Sequence, residues 1–448
     1  MQVLNLVIKK SSFFLFLIFT FLILYHSPEF FNKIQPDSSS YINPSPFRQI
    51  LYHYLYVTLK KINLDIIFFQ IFLMSLSIVC LFSFLKKNKK VNIYLLILFY
   101  SFITLNFYYT SFTKTILSEA IFFSLIIFAF ILMFHLQNKF CLLFFGLVSG
   151  IIVAFKPVGI IFIIIFLIFS LLFTKSYKKL MQIIFLISLP IILENYMFYS
   201  KYTERKTIFS YSVMGKLFFL SGKNTFNIEN YPKEYHELLT ITKNKFYPIH
   251  DYIRTIDNLL LRFELLSDYE VVAQYQVINS SILRDISLDK EQIINDTNYL
   301  FLQIIKNNFL DYVKLSFSHY IGNWSIGNKS IFLDTTENDI PNIKELINSS
   351  GPMNIPNNKL LLLAQIFFLV LFLILTLYSL LVFILKILRF KEVKYDDVLL
   401  VTLIQVYLLA VSFTNISTPR YLMAIYPFLL ISCINFYSLT KKLINKSD

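Results

Sequence analysis

Apolar runs alternate with short polar breaks along most of the chain. A helix needs about 20 apolar residues to cross a bilayer. The runs at roughly 11–27, 64–85, 91–109, 119–137, 140–155, 158–174, 180–199, 360–385, 398–416 and 420–439 are read as spans on that basis. The pattern predicts an all-α polytopic membrane protein with about ten transmembrane helices. The fifth and sixth runs are short and meet at Phe155-Lys156-Pro157-Val158-Gly159, which suits a pair of short tilted helices. The first run has no small-residue cleavage site after it and is read as a retained helix rather than a signal peptide.

Two stretches break the apolar rhythm. Residues 28–63 are too polar to span, and the aromatic, partly basic part from Phe47 to Lys61 predicts an interfacial helix on the membrane surface. Ser45-Pro46 is its expected start, because proline fits a first helical turn. Residues 200–359 form the second break. Leu259, Leu260, Phe263 and Leu266, then Ile304, Ile305, Phe309 and Val313, recur at helical spacing. Gly322 to Pro356 is rich in turn formers and reads as loop. Three domains follow: an N-terminal transmembrane module at 1–200, an extracytoplasmic and mostly helical segment at 201–357, and a C-terminal transmembrane module at 358–448.

Composition agrees with lipid as the solvent. The chain is 56% hydrophobic and only 15% charged, with a mean hydropathy of +0.62, whereas soluble domains carry roughly 25% charged residues. The excess of Phe, Ile, Tyr, Lys and Asn also fits an AT-rich genome. The net charge of +14 would suit a nucleic-acid partner, but its placement excludes one. Residues 201–357 hold 16 Lys/Arg against 18 Asp/Glu, so the excess lies elsewhere. It sits in short clusters at Lys9-Lys10, Lys86–Lys90, Lys175–Lys179, Lys386–Lys394 and Lys441–Lys446. With both termini cytoplasmic, every one of these clusters falls inside, as the positive-inside rule requires. The segments 28–63, 110–118, 156–157, 200–359 and 417–419 then face outward. The three cysteines, Cys80, Cys141 and Cys433, lie within apolar runs and lack metal-ligand or redox spacing.

Charged residues close to a membrane are costly and become candidates for function. On the outer side these are Asp37, Lys114, Glu119, Lys156, Glu194 and Arg420, with His53 and Tyr421 beside them. An acid can activate a hydroxyl nucleophile, and cations can hold a phosphate leaving group. Each residue also has a plainer role. Asp37 suits a turn or a helix N-cap before its three serines. Glu119 suits the dipole at a helix start. Lys156 suits snorkelling to the surface, Lys114 a solvated loop charge, Glu194 a buried paired acid, and His53 an interface residue. Arg420 stands at a helix start, where a cation opposes the dipole unless an anion is near. The remaining histidines show no metal-site spacing. With eight glycines in the chain there is no phosphate loop, and neither a nucleophile elbow nor a zinc motif occurs.

The order of these features resembles a family. After the first span comes a Pro36-Asp37-Ser38…Tyr41 corner. Ser118-Glu119 opens a span, Lys156-Pro157 stands where related sequences often have Arg-Pro, Glu194-Asn195-Tyr196 ends a span, and Pro419-Arg420-Tyr421 opens the last one, with Pro427 inside it. This resembles the polytopic GT-C glycosyltransferases of bacteria, the protein mannosyltransferase/aminoarabinose transferase-like group, over most of residues 1–200 and 398–439. The resemblance implies inverting transfer of a sugar from a polyprenyl-phosphate-linked donor to a glycan, lipid or protein acceptor at the outer face of the cell (inner) membrane. It implies Asp37 as general base and Lys156 and Arg420 as binders of the lipid phosphate. Tyr41, His53 and Tyr421 would lie beside them, and Glu119 would be a second acid or would orient a cation. No cofactor is implied. Many members have two adjacent acids in the first loop, but Ser38 follows Asp37 here, which disfavours a divalent metal. Lys156 also lacks arginine's bidentate geometry. Two competing readings are a polysaccharide repeat-unit polymerase, which would rely on outer arginines although arginine is scarce here, and a lipid-linked oligosaccharide flippase or other transporter. The second is disfavoured by charges gathered at one face and spans nearly free of glycine.

Overall fold

The apolar runs fold as helices, and the described residues contain no strand. The computed structural model describes residues 2–29, 33–35, 37–88, 91–206, 209–257, part of 259–273, 296–322, 384, 395–414 and 423–434. The expected span at 360–385 apart from Ile384, the expected loop at 322–356 apart from Gly322 (which closes a helix instead), and Pro36, Pro419, Arg420 and Tyr421 lie outside the described residues. The helices are α1 (Gln2–His26), α2 (Ser38–Ile42), α3 (Leu51–Lys61), α4 (Ile66–Asn88), α5 (Ile93–Thr104), α6 (Phe107–Ser111), α7 (Glu119–Met133), α8 (Lys139–Phe155), α9 (Ile160–Thr174), α10 (Tyr177–Tyr199), α11 (Phe209–Ser221), α12 (His236–Thr255), α13 (Thr297–Gly322) and α14 (Tyr395–Thr414). Among the described residues three helices are long and apolar enough to cross a membrane: Ile66–Asn88, Pro157–Thr174 and Tyr177–Tyr199.

Several runs are cut shorter than their hydropathy predicts, and side-chain caps are the reason. The run at 91–109 stops being one helix at Thr104. Asn106 then accepts the Tyr109 amide and starts α6; an Asn cap satisfies a donor that a continuous helix would not leave free. The run at 119–137 ends at Met133, and Asn138 caps α8 by accepting the Phe140 amide. Ser176 starts α10 by accepting the Lys179 amide, so that helix begins three residues before its apolar run. The interfacial stretch is helical only from Leu51, not from Pro46, because Ser45 to Ile50 is turn and bend and the Ile50 amide is drawn to Glu194. At its other end the Leu64 amide returns to Leu59, and the Asn63 amide to Lys60, with Asn63 at φ 57. That is a Schellman close, with asparagine in the left-handed position it tolerates better than most residues.

The chain divides into two units: Met1–Arg205, Asn354–Tyr407 and Met423–Asp448 form one, and Lys206–Met353 with Leu408–Leu422 the other. In the first, α7 is buried along nearly its whole length, from Glu119 through Ala120, Phe122, Phe123 and Ile126 to Phe130. A helix apolar on all sides belongs inside a bundle, and α4 and α8 flank it. Gly146 and Gly150 let α8 lie close against α10. A Cβ on Gly150 would fall 2.4 Å from the Ile187 carbonyl oxygen and 2.9 Å from the ring of Pro190. The other face of α10 shows Met181, Phe185, Ile192 and Leu193 outward, which is compatible with a membrane setting.

The second unit has its own core of Leu217, Phe218, Phe219, Leu238, Phe246, Leu300 and Ile304 from α11, α12 and α13. A buried Lys216 pairs with Glu270 at 2.7 Å, and His319 meets the other oxygen of that carboxylate. His250 is buried and gives its Nε2 hydrogen to the Phe219 carbonyl at 2.8 Å. Burial, first, and the cations Lys223 and Arg254 push its pKa from 6.5 down to about 4. The folded state therefore binds fewer protons here than the unfolded chain. Stability is full above pH 6.5 and falls as the pH drops toward 4, by at most about 3 kcal/mol. Thermal unfolding at pH 7 and pH 4.5 should show a larger drop for wild type than for His250→Gln, which keeps an N–H donor but does not titrate.

Candidate active site

The loop after α1 folds around its serines. Ser38 accepts the Gln35 amide through Oγ, and Ser40 Oγ donates to the Asp37 carbonyl at 2.7 Å. These local bonds make the turn into α2. Asp37 occupies the N-cap position, yet its side chain makes no capping bond. Its carboxylate is turned to Arg48 instead, with Nη2 to Oδ1 at 2.7 Å and the two side chains 19% and 30% exposed. The pair is thus reachable from solvent. The Arg48 guanidinium also lies over the Tyr41 ring, 5.2 Å from its centre.

Tyr41 carries the arrangement inward. Its hydroxyl is 3.0 Å from Ser118 Oγ. Ser118 directly precedes Glu119, the first residue of α7, whose carboxylate is only 1% exposed and meets Lys156 Nζ at 2.7 Å. Lys156 can reach it because α8 stops at Phe155. A residue before proline is pushed out of the helical region, and Lys156 is extended at φ −152, ψ 114 before the turn Pro157–Gly159. Gly159 is required there, since a Cβ would come 2.5 Å from Ile152 Cγ2 and 3.1 Å from the Phe122 ring. The Lys156 ammonium stands 5.5 Å from the centre of that ring. Asp37, Tyr41, Glu119 and Lys156, four of the residues expected from sequence, are therefore joined through Arg48 and Ser118 at one end of the first unit.

Supporting contacts fix this end of the bundle. The Tyr52 ring packs at a tilt against Tyr41, centres 5.0 Å apart, and its hydroxyl donates to Gln70 Oε1 at 2.9 Å. The Gln70 amide donates in turn to the Thr113 and Thr115 carbonyls, at 3.1 and 2.8 Å. This ties α3 and α4 to the strip that leads into Ser118. A lone glutamine inside an apolar span was the available signal. His53 gives its Nδ1 hydrogen to the Ile42 carbonyl at 2.8 Å and so holds the end of α2. Glu194 is buried and paired with Arg205 at 2.7 Å. Lys114 is not the solvated loop charge expected: it is 8% exposed, and its ammonium donates to the Ser27 carbonyl just past α1. A cation there suits the C-terminal end of the α1 dipole. Burial pulls the Lys114 pKa down, and Glu29 opposes this in part.

Among the described residues no three His, Cys, Asp or Glu side chains converge to hold a metal ion. The Asp37 carboxylate faces the Arg48 guanidinium, and Ser38 follows it in sequence. The chain matches no family model, no curated protein and no solved structure.

Proposed function

We propose that the chain is a membrane glycosyltransferase that moves a sugar from a polyprenyl-phosphate-linked donor to a cell-surface glycan, lipid or protein acceptor at the extracytoplasmic face, with inversion. The observation that carries this reading is the linked pair of acid–cation contacts, Asp37–Arg48 and Glu119–Lys156, joined by Tyr41 and Ser118. One pair is partly exposed and the other nearly buried, so the roles divide by environment. Asp37, at the accessible end, takes the proton from the acceptor hydroxyl. The hydroxyl oxygen then bonds to the anomeric carbon from the face opposite the phosphate. The bond between that carbon and the phosphate oxygen breaks, and its electron pair leaves on the polyprenyl phosphate. Lys156, held in place by Glu119, meets that charge, and the family resemblance assigns Arg420 to the same role. The family resemblance assigns Tyr41, His53 and Tyr421 to acceptor and donor binding. The lysine clusters support an orientation with the termini in the cytoplasm and this end outside.

Purified protein given polyprenyl-phosphate sugars and a crude lipid or glycan acceptor should release polyprenyl phosphate. Absence of release across a panel of such donors would remove the reading. A second reading, the repeat-unit polymerase, is favoured by one observation: Arg48 and Arg205 are both engaged in acid pairs on the proposed outer side. Product length separates the two. Single additions support the transferase, and a ladder of repeat lengths supports the polymerase.

A further inference from the structure

Glu194 serves two partners at once. Its Oε1 accepts the amide of Ile50 at 3.1 Å, and its Oε2 pairs with Arg205 Nη2 at 2.7 Å. Arg205 in turn donates through Nη1 to the side-chain oxygen of Gln49, and its guanidinium stacks on Phe198 at 4.1 Å. Two consecutive residues of the first outer loop, one through its backbone and one through its side chain, are thus held by a single ion pair. Glu194 is anchored near the end of α10, and its side chain is 3% exposed. The residue immediately before the pinned pair is Arg48, the partner of Asp37.

A buried ion pair contributes little net stability against an apolar replacement, because desolvating both charges costs about what their attraction returns. Its value here is geometric. Ile50 is the residue from which α3 starts, so the contact sets where that helix begins. It also fixes the backbone that aims Arg48 at Asp37 and over the Tyr41 ring.

We infer that Glu194 and Arg205 form a positioning clamp that holds residues 48–50 so that Arg48 orients the Asp37 carboxylate. The kinetic part of this inference rests on the glycosyltransferase reading; the structural part does not. Two measurements on the full-length protein separate them. In hydrogen exchange, the Ile50 amide should be protected in wild type and should exchange faster in Glu194→Ala, while α7 and α8 stay protected. Glu194→Gln keeps an oxygen for that amide and should restore protection. Gln49→Ala removes only the link from Arg205 to the loop and leaves Glu194 and Arg205 paired, so its kcat remains informative if Glu194→Ala fails to fold.

In the sugar-transfer assay, Glu194→Ala should lower kcat about 10²-fold with little change in KM for the donor, the cost expected for a misplacement of about 1 Å. Gln49→Ala should lower kcat about tenfold, and Glu194→Gln should recover most of the loss. Of Glu194→Ala and Gln49→Ala, the first removes the acceptor of the Ile50 amide, and unchanged exchange at Ile50 in it overturns the clamp. So does wild-type kcat in both of these variants, or equal damage in Glu194→Gln and Glu194→Ala. If wild type transfers no sugar while exchange responds as stated, the transferase reading falls and the clamp stands.

Discussion

Asp37→Asn is expected to fold like wild type and to lower turnover by about 10²- to 10⁴-fold, the usual contribution of a positioned general base. The substitution is nearly isosteric, and its amide oxygen can still accept from Arg48. The pair it weakens is partly exposed, where an ion pair is worth about 0–1 kcal/mol. The turn around it depends on Ser38 and Ser40 rather than on the Asp37 side chain. Loss of turnover with an unchanged thermal midpoint therefore assigns Asp37 to chemistry. Wild-type turnover removes it from the mechanism, and a large fall in midpoint would make it structural.

The second large effect is expected at the buried pair. Lys156→Met leaves Glu119 as an uncompensated carboxylate that is 1% exposed, and breaking such a pair costs about 3–5 kcal/mol. Adding Glu119→Gln removes the stranded charge and should return most of that stability. Activity should not return, because the cation proposed to meet the lipid phosphate is still missing. Thermal unfolding in detergent and donor turnover, measured on both variants, read the two roles separately. A double variant that recovers activity along with stability would show that Lys156 serves only to neutralise Glu119.

The helical class was legible from the apolar runs, because a run of that length and composition has few other folds. Their ends were not, because averaged hydropathy does not register a single capping side chain such as Asn106 or Asn138. Asp37, Glu119 and Lys156 stood out for the same reason, as charges set against apolar neighbours. Arg48 did not, since in an aromatic, basic stretch it reads as one more interfacial cation. Its role depends on a turn that brings it back to Asp37. Lys114 was misread because burial is a property of what folds over a residue. Residues around position 27 fold over it, far away in sequence. The clamp of Glu194 and Arg205 on Gln49 and Ile50 spans more than 140 positions, and no local pattern carries such a contact. The capping role open to Asp37 was a sound local inference that a tertiary partner outcompeted.

The central claim is transfer from a lipid-linked sugar at the face that carries Asp37. Ser39, which is exposed beside it, can report that face as Ser39→Cys through an impermeant thiol reagent in proteoliposomes sealed in one orientation. Polyprenyl-phosphate sugar and acceptor added to the face where this cysteine labels should give glycosylated acceptor with inverted anomeric configuration. Transfer only from the opposite face, or only with a nucleotide sugar, would contradict the account.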